Sequence, residues 1–167
     1  MNFEIRELKD GEAGLAHSLM QQSNPDPRFY SQSTLDYFEN HISAQGVTYG
    51  AFVGDTLAAY AVLDFPGLAD DNFGRRIGVP ENELLRSAVL DACVVHPNFR
   101  GHGLQSRLCA LREKHALRFG CLHLYASVHP ENTYSLSNMQ SIGMNVVLTV
   151  EKSGGRLRNI VYKKLVH

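Results

Sequence analysis

Val94-Val95-His96-Pro97-Asn98-Phe99-Arg100-Gly101-His102-Gly103-Leu104-Gln105 is the stretch that decides the fold. The apolar run from Ala88 to Val95 leads into it like a strand, Pro97 and Asn98 break the run, and from Leu104 the apolar spacing becomes helical. A strand therefore feeds a glycine-bearing turn that opens straight into a helix. Gly101 and Gly103 allow positive φ and a close approach of backbone to ligand, while the first helical turn leaves N–H groups without intrahelical partners. The amides of Gly101, His102, Gly103, Leu104, Gln105 and Ser106 can converge on an anion, aided by the helix dipole and by the charge of Arg100. A pyrophosphate is the natural occupant of such a cradle.

Two common nucleotide motifs do not fit. No Lys-Ser or Lys-Thr follows the glycines, as a Walker loop needs, and the three-glycine spacing of a dinucleotide fingerprint is missing. The stretch instead resembles the acetyl-CoA signature of the GNAT superfamily of N-acyltransferases, Arg/Gln-x-x-Gly-x-Gly/Ala. Arg100 and Gly103 match, and Gln105 stands where Gly or Ala is usual but still offers a backbone N–H. A second stretch of the same family pattern follows at the matching separation. Asn132-Thr133-Tyr134-Ser135 resembles its Asn-x-x-Ser/Ala helix start, and Gly143-Met144 stands at its Gly-Phe close. The resemblance is clear over residues 86–150, and upstream only the order of strand, two helices and hairpin matches.

The resemblance implies one α/β domain of α+β type over 1–167, with a central mixed, mostly antiparallel sheet of about seven strands flanked by about four helices. It implies acetyl-CoA as acyl-donor cosubstrate, with the pantetheine arm paired along Cys93, Val94 and Val95 and an amide near Val94 or Val95 polarising the thioester carbonyl. Asn132 then corresponds to the family's cofactor-contacting asparagine. The acceptor is a primary amine, on a small molecule or a protein, and a homodimer is compatible with the pattern. Many members place a tyrosine acid seven residues after the asparagine, where this chain has Met139. Tyr134, with Tyr125 beside it, is the candidate general acid, although a CoA thiol leaves adequately without one. Asp91, between Leu90 and Ala92 on the cradle's own strand, is the candidate general base, with His129 and Glu131 as rivals. A Cys93 nucleophile is not needed for direct transfer.

The rest of the chain sets bounds. Its 167 residues suit one domain with a real core, and 16 Lys+Arg against 17 Asp+Glu give a net charge of −1, which points to no nucleic-acid partner. The start lacks a signal-like apolar region, and no run is long enough for a membrane span, so a cytoplasmic location is expected. Cys93, Cys109 and Cys121 show no Cys-x-x-Cys spacing and read as free thiols. No histidine pair suggests a metal.

In chain order, Phe3 and Ile5 mark a first strand. Asp10 caps a helix carrying Leu15, Leu19 and Met20, and Ser33 caps a second with Leu35, Phe38 and Ile42. Residues 47–53 and 57–63 form a hairpin around Gly54-Asp55-Thr56, and Asp64 to Arg86 reads as an excursion with room for acceptor contacts. The helix from Leu104 is expected to bury Leu108, Leu111 and Phe119 and to keep Arg107, Arg112, Glu113, Lys114 and Arg118 largely off that face. Leu122 to His129 alternates like a strand packed on one face, and a last hairpin turns at Gly154-Gly155. Two other readings stay open at this stage: an acyl-CoA-binding module without turnover, and an α/β protein holding another nucleotide's phosphates.

Overall fold

The computed structural model describes residues 1–152 and 154–167. Strand β1 (Glu4–Glu7) is followed by helices α1 (Ala13–Ser23) and α2 (Leu35–Ser43), then by strands β2 (Gly46–Val53) and β3 (Thr56–Asp64). Helix α3 (Glu81–Leu84) leads into β4 (Ser87–Val95), the long α4 (Leu104–Arg118) and β5 (His123–Val128). Helix α5 (Thr133–Ser141) and strands β6 (Asn145–Lys152) and β7 (Arg156–Lys164) complete the order. The strands form one seven-stranded sheet in the order β1-β2-β3-β4-β5-β7-β6. Pairs β1/β2, β2/β3, β5/β7 and β6/β7 are antiparallel, and β4/β5 is parallel. This is the mixed, mostly antiparallel α/β sheet that the resemblance implied. Helices number five among the described residues, because the excursion after β3 contains α3.

The chain gathers into two compact units, Met1–Asp64 with Asp91–Arg112, and Phe65–Leu90 with Glu113–His167. In the first, α1 and α2 bury Ala16, Leu19 and Phe38 with Tyr60, Val62 and Val94 of the strands. The helix starts differ from expectation. Asp10 does not cap α1; Glu12 precedes the helix, and its carboxylate turns back to take the Lys9 N–H at 2.7 Å and the Arg6 guanidinium at 2.9 and 2.8 Å. The longer side chain reaches β1, which a capping Asp cannot. The cap of α2 is Thr34 rather than Ser33, its hydroxyl accepting from the Tyr37 N–H at 3.2 Å.

Arg112 is the largest departure from the sequence reading in this unit. It is fully buried on α4, and its Nη1 donates to the Val62 carbonyl at 2.8 Å and to the Asp91 carbonyl at 3.0 Å. Carbonyl oxygens replace water at Nη1, and Nε donates to the Leu108 carbonyl at 3.4 Å, while Nη2 is buried without a hydrogen-bond partner among the described residues. The side chain staples α4 to the backbones of β3 and β4.

In the second unit β5 is covered on both faces, since His123, Leu124, Tyr125 and Ala126 are all buried. The expected one-sided alternation fails because a strand paired on both sides and packed above and below has no solvent face. Phe119, one residue past the end of α4, is 68% exposed and stacks on Phe65 at 4.7 Å instead of entering the core. The excursion is organised around buried Asn72, whose side chain donates to the Gly67 carbonyl at 2.7 Å and accepts from the Gly74 N–H at 2.9 Å. A Cβ on Gly74 would lie 2.8 Å from the Tyr125 hydroxyl, so only glycine fits there. Among the described residues no helix is long and apolar enough to cross a membrane.

Candidate active site

The strand–turn–helix geometry forms as the sequence requires. Pro97–Phe99 make a single 3-10 turn after β4, capped by the His96 ring, whose Nδ1 accepts from the Asn98 N–H at 3.0 Å. His96 is thus a builder of the turn. Exposed Arg100 follows, then Gly101 at φ 85° and Gly103 at φ 70°, and α4 begins at Leu104. Those φ values explain the glycines, since a Cβ at either position would meet nothing within 4 Å and packing makes no demand. The helical ladder starts with the Arg107 N–H on the Gly103 carbonyl at 3.1 Å. His102 is exposed with its ring 5.3 Å from Phe3, Leu104 is buried, Gln105 is half-buried, and Ser106 is exposed. Helix α4 has fifteen residues behind this turn, so its dipole is fully developed.

Strand β4 enters the cradle directly. Its parallel ladder with β5 runs only through Ser87, Ala88 and Val89, and the strand continues to Val95 beyond the ladder's end. Val94 is buried in the first unit's core, and Cys93 and Val95 are half-buried. Burial pushes the Cys93 thiol up to about 11, against the opposing pull of Arg112. It is a thiol at neutral pH, poorly suited to nucleophilic attack.

Asp91 is exposed, not enclosed by Leu90 and Ala92. The desolvation on which its choice as base rested is therefore absent, because its side chain alternates away from the face that buries Val94. Instead it joins a hydrogen-bonded chain. The Tyr37 hydroxyl of α2 donates to Asp91 Oδ2. The Tyr37 ring lies 4.2 Å from that of His41, tilted by 33°. His41 Nδ1 meets the Tyr37 carbonyl at 2.7 Å, and Nε2 meets Asp64 Oδ1 at 2.7 Å. Both partners are acceptors, so both nitrogens carry protons and the ring is an imidazolium. Burial alone would lower the His41 pKa, but the Asp64 hydrogen bond, the Tyr37 carbonyl and the charges of Asp64 and Asp91 together raise it. Burial, then the Asp91 charge, raises the Tyr37 phenol, which stays protonated and can only donate.

Asn132 and Tyr134 belong to the second unit. Asn132 caps α5, accepting from the Ser135 N–H at 3.3 Å, which places the expected helix start correctly. Tyr134 is 68% exposed, whereas Tyr125 is fully buried and its phenol is raised by burial. Met139, at the position of the family's tyrosine acid, is buried. His129 Nδ1 accepts from the Glu131 N–H at 3.0 Å, a local turn contact at the end of β5. Among the described residues no group of three His, Cys, Asp or Glu could hold a metal.

Sequence reasoning missed Tyr37, His41 and Asp64. The signal was present in α2, since Tyr37 and His41 are spaced i, i+4 beside the Phe38 and Ile42 stripe and so share a second face. Their partners lie far away in sequence, so nothing local named them.

Solved structures share this architecture at low sequence identity. A probable acetyltransferase from Staphylococcus epidermidis superposes with a TM-score of 0.76 at 15% identity, covering 99% of this chain and 100% of that one. The ribosomal-protein-S18-alanine N-acetyltransferase of Escherichia coli gives 0.72 at 16% identity, over 98% and 94% of the two chains. A putative acetyltransferase from Salmonella typhimurium, solved with its cofactor acetyl-CoA, gives 0.74 at 17% identity over 100% and 96%. No curated protein matches the sequence. The profile of the acetyltransferase (GNAT) family matches residues 15–144, which take in α2, the whole of β4, the Arg100–Gly103 turn and α5, and the chain belongs to that family.

Proposed function

We propose that this enzyme transfers an acetyl group from acetyl-CoA to a primary amine by direct attack, with both substrates held together. The observation that carries the reading is the Arg100-Gly101-His102-Gly103 turn, with two left-handed glycines at the N-terminus of a fifteen-residue helix and an exposed arginine beside it. Main-chain N–H groups, a helix dipole and a guanidinium make a site for a diphosphate, and the residues present fit that group. When bound, acetyl-CoA supplies an activated thioester. The main chain of Cys93, Val94 and Val95 runs past the end of the β4/β5 ladder; it would pair the amide-rich pantetheine, and an amide of this segment would polarise the thioester carbonyl.

Proton balance assigns the remaining roles. An ammonium acceptor gives one proton to Asp91, whose exposed carboxylate passes it to water. The amine lone pair then forms the N–C bond as the C–S bond breaks, and the second nitrogen proton ends on sulfur. Tyr134 is the candidate donor to sulfur, and Asn132 a candidate contact to the cofactor. Transfer does not depend on the donor, because a CoA thiolate is a fair leaving group. Holding both substrates supplies much of the rate by orientation.

Gly103→Glu puts a carboxylate and a strained backbone into the cradle, so acetyl-CoA affinity measured by calorimetry is expected to fall at least about a hundredfold. Unchanged affinity would remove the cradle from the mechanism. Competition by ATP or NAD as effective as that by CoA would replace the donor.

A further inference from the structure

Resting on the reading of Asp91 as base, we infer that Tyr37 is its positioning residue, occupying one carboxylate oxygen and aiming the other at the acceptor. Asp91 Oδ2 accepts from the Tyr37 hydroxyl, and no described residue donates to Oδ1. An exposed aspartate otherwise samples several rotamers, and a base must be held in one. The phenol does this without competing for the proton, because it cannot give up its own under working conditions.

Tyr37 is in turn over-determined. Phe38 packs edge-on against its ring at 5.3 Å, and His41 holds both its ring and its carbonyl. His41 is fixed by Asp64, while its own carbonyl takes the Thr48 hydroxyl at 2.9 Å. At His41 the backbone leaves helical values, with φ −98° and ψ 20°, so α2 bends where its imidazole meets Asp64. The strap runs from the end of β3 through α2 to the middle of β4. Around it stand other ionisable groups: Tyr30 before α2, Tyr60 on β3, Cys93 on β4, and Arg112 of α4 through the Asp91 carbonyl. No lysine or arginine side chain pairs with the Asp91 carboxylate, so Tyr37 is its one direct holder among the described residues.

The test uses the full chain with carboxyl-labelled aspartate, the Asp91 resonance being identified by its loss in Asp91→Asn. In Tyr37→Phe at neutral pH that carbon resonance is expected to move while the other aspartate signals stay. With acetyl-CoA and an alanine-initiated hexapeptide, spermidine and free lysine as acceptors, kcat is expected to fall about tenfold with KM within about twofold. A merely structural strap would change the urea midpoint and move the resonance with the lost hydrogen bond, but would leave kcat in place. If Tyr37→Phe does not fold, uniform 3-fluorotyrosine, a stronger donor of nearly the same shape, is expected to shift the resonance in the intact fold. An Asp91 signal unmoved by both changes overturns the positioning role. Full turnover in Asp91→Asn, with the signal still sensitive to Tyr37, sinks the base reading instead and leaves the contact standing.

Discussion

Each unit contains a carboxylate, a buried histidine and a tyrosine in line, and the two chains are built for different ends. In the first, Asp64, His41 and Tyr37 lead out to the exposed Asp91. In the second, Glu83 meets His123 Nε2 at 2.8 Å, and Nδ1 meets the Tyr162 hydroxyl at 2.8 Å, where the line stops. A hydroxyl can donate or accept, so the second chain satisfies its ring in more than one proton arrangement. The first cannot, because a backbone carbonyl and a carboxylate both demand protons from His41. One cluster is a tie between α3, β5 and β7; the other is a tie with an open end and a fixed charge.

The deepest cut into this contrast is Arg112→Ala, which strips the backbone under Asp91. Loss of a fully buried side chain and of its bonds to the Val62 and Asp91 carbonyls is expected to cost about 4 kcal/mol by urea unfolding. A cost under about 1 kcal/mol would show that the guanidinium is not the staple described.

Next comes removal of the carboxylates. Asp64→Ala leaves the His41 imidazolium buried without its counter-charge, at an expected cost of about 2 kcal/mol after allowance for the partial exposure of Asp64. Glu83→Ala takes a more exposed partner from a ring that has other arrangements, and about 1 kcal/mol is expected. Equal losses from the two variants would erase the distinction between the clusters.

The mildest test is pH. The folded pKa of His41 is raised above its ordinary 6.5, so its stabilisation is complete below that value and is lost as pH rises through the higher folded value. The stability gap between the native chain and His41→Gln should therefore narrow on going from pH 6 toward alkaline conditions. A gap that widens would reverse the assigned charge.

The sequence made the cradle legible because every part of it is local: Pro97 stops a strand, the glycines supply positive φ, and Leu104 opens a helix within a few residues. The hairpin, the two N-terminal helices and the Asn132 start of α5 were readable for the same reason. Helix starts missed by a residue or more where a side chain chose a remote partner, as Glu12 chose Arg6. Arg112 was read outward because a charge usually is, and only tertiary carbonyls reverse that preference. Tyr37 and Asp91 lie 54 residues apart, and no periodicity within either element specifies the other. The place of Asp91 on the cradle's own strand, between Leu90 and Ala92, singled it out in the sequence, but what surrounds it came only from folding the chain.

The Arg112 staple has one more consequence. It joins α4 to β4 two helical turns after the cradle, closing a rigid frame of about 12 Å of helix and about 13 Å of strand. Such a frame is a caliper: the gap between whatever sits in the turn and whatever meets Asp91 is set by regular secondary structure and not by loops. An acyl carrier whose arm is shorter or longer than that gap would bring its carbonyl to the wrong rung of the strand.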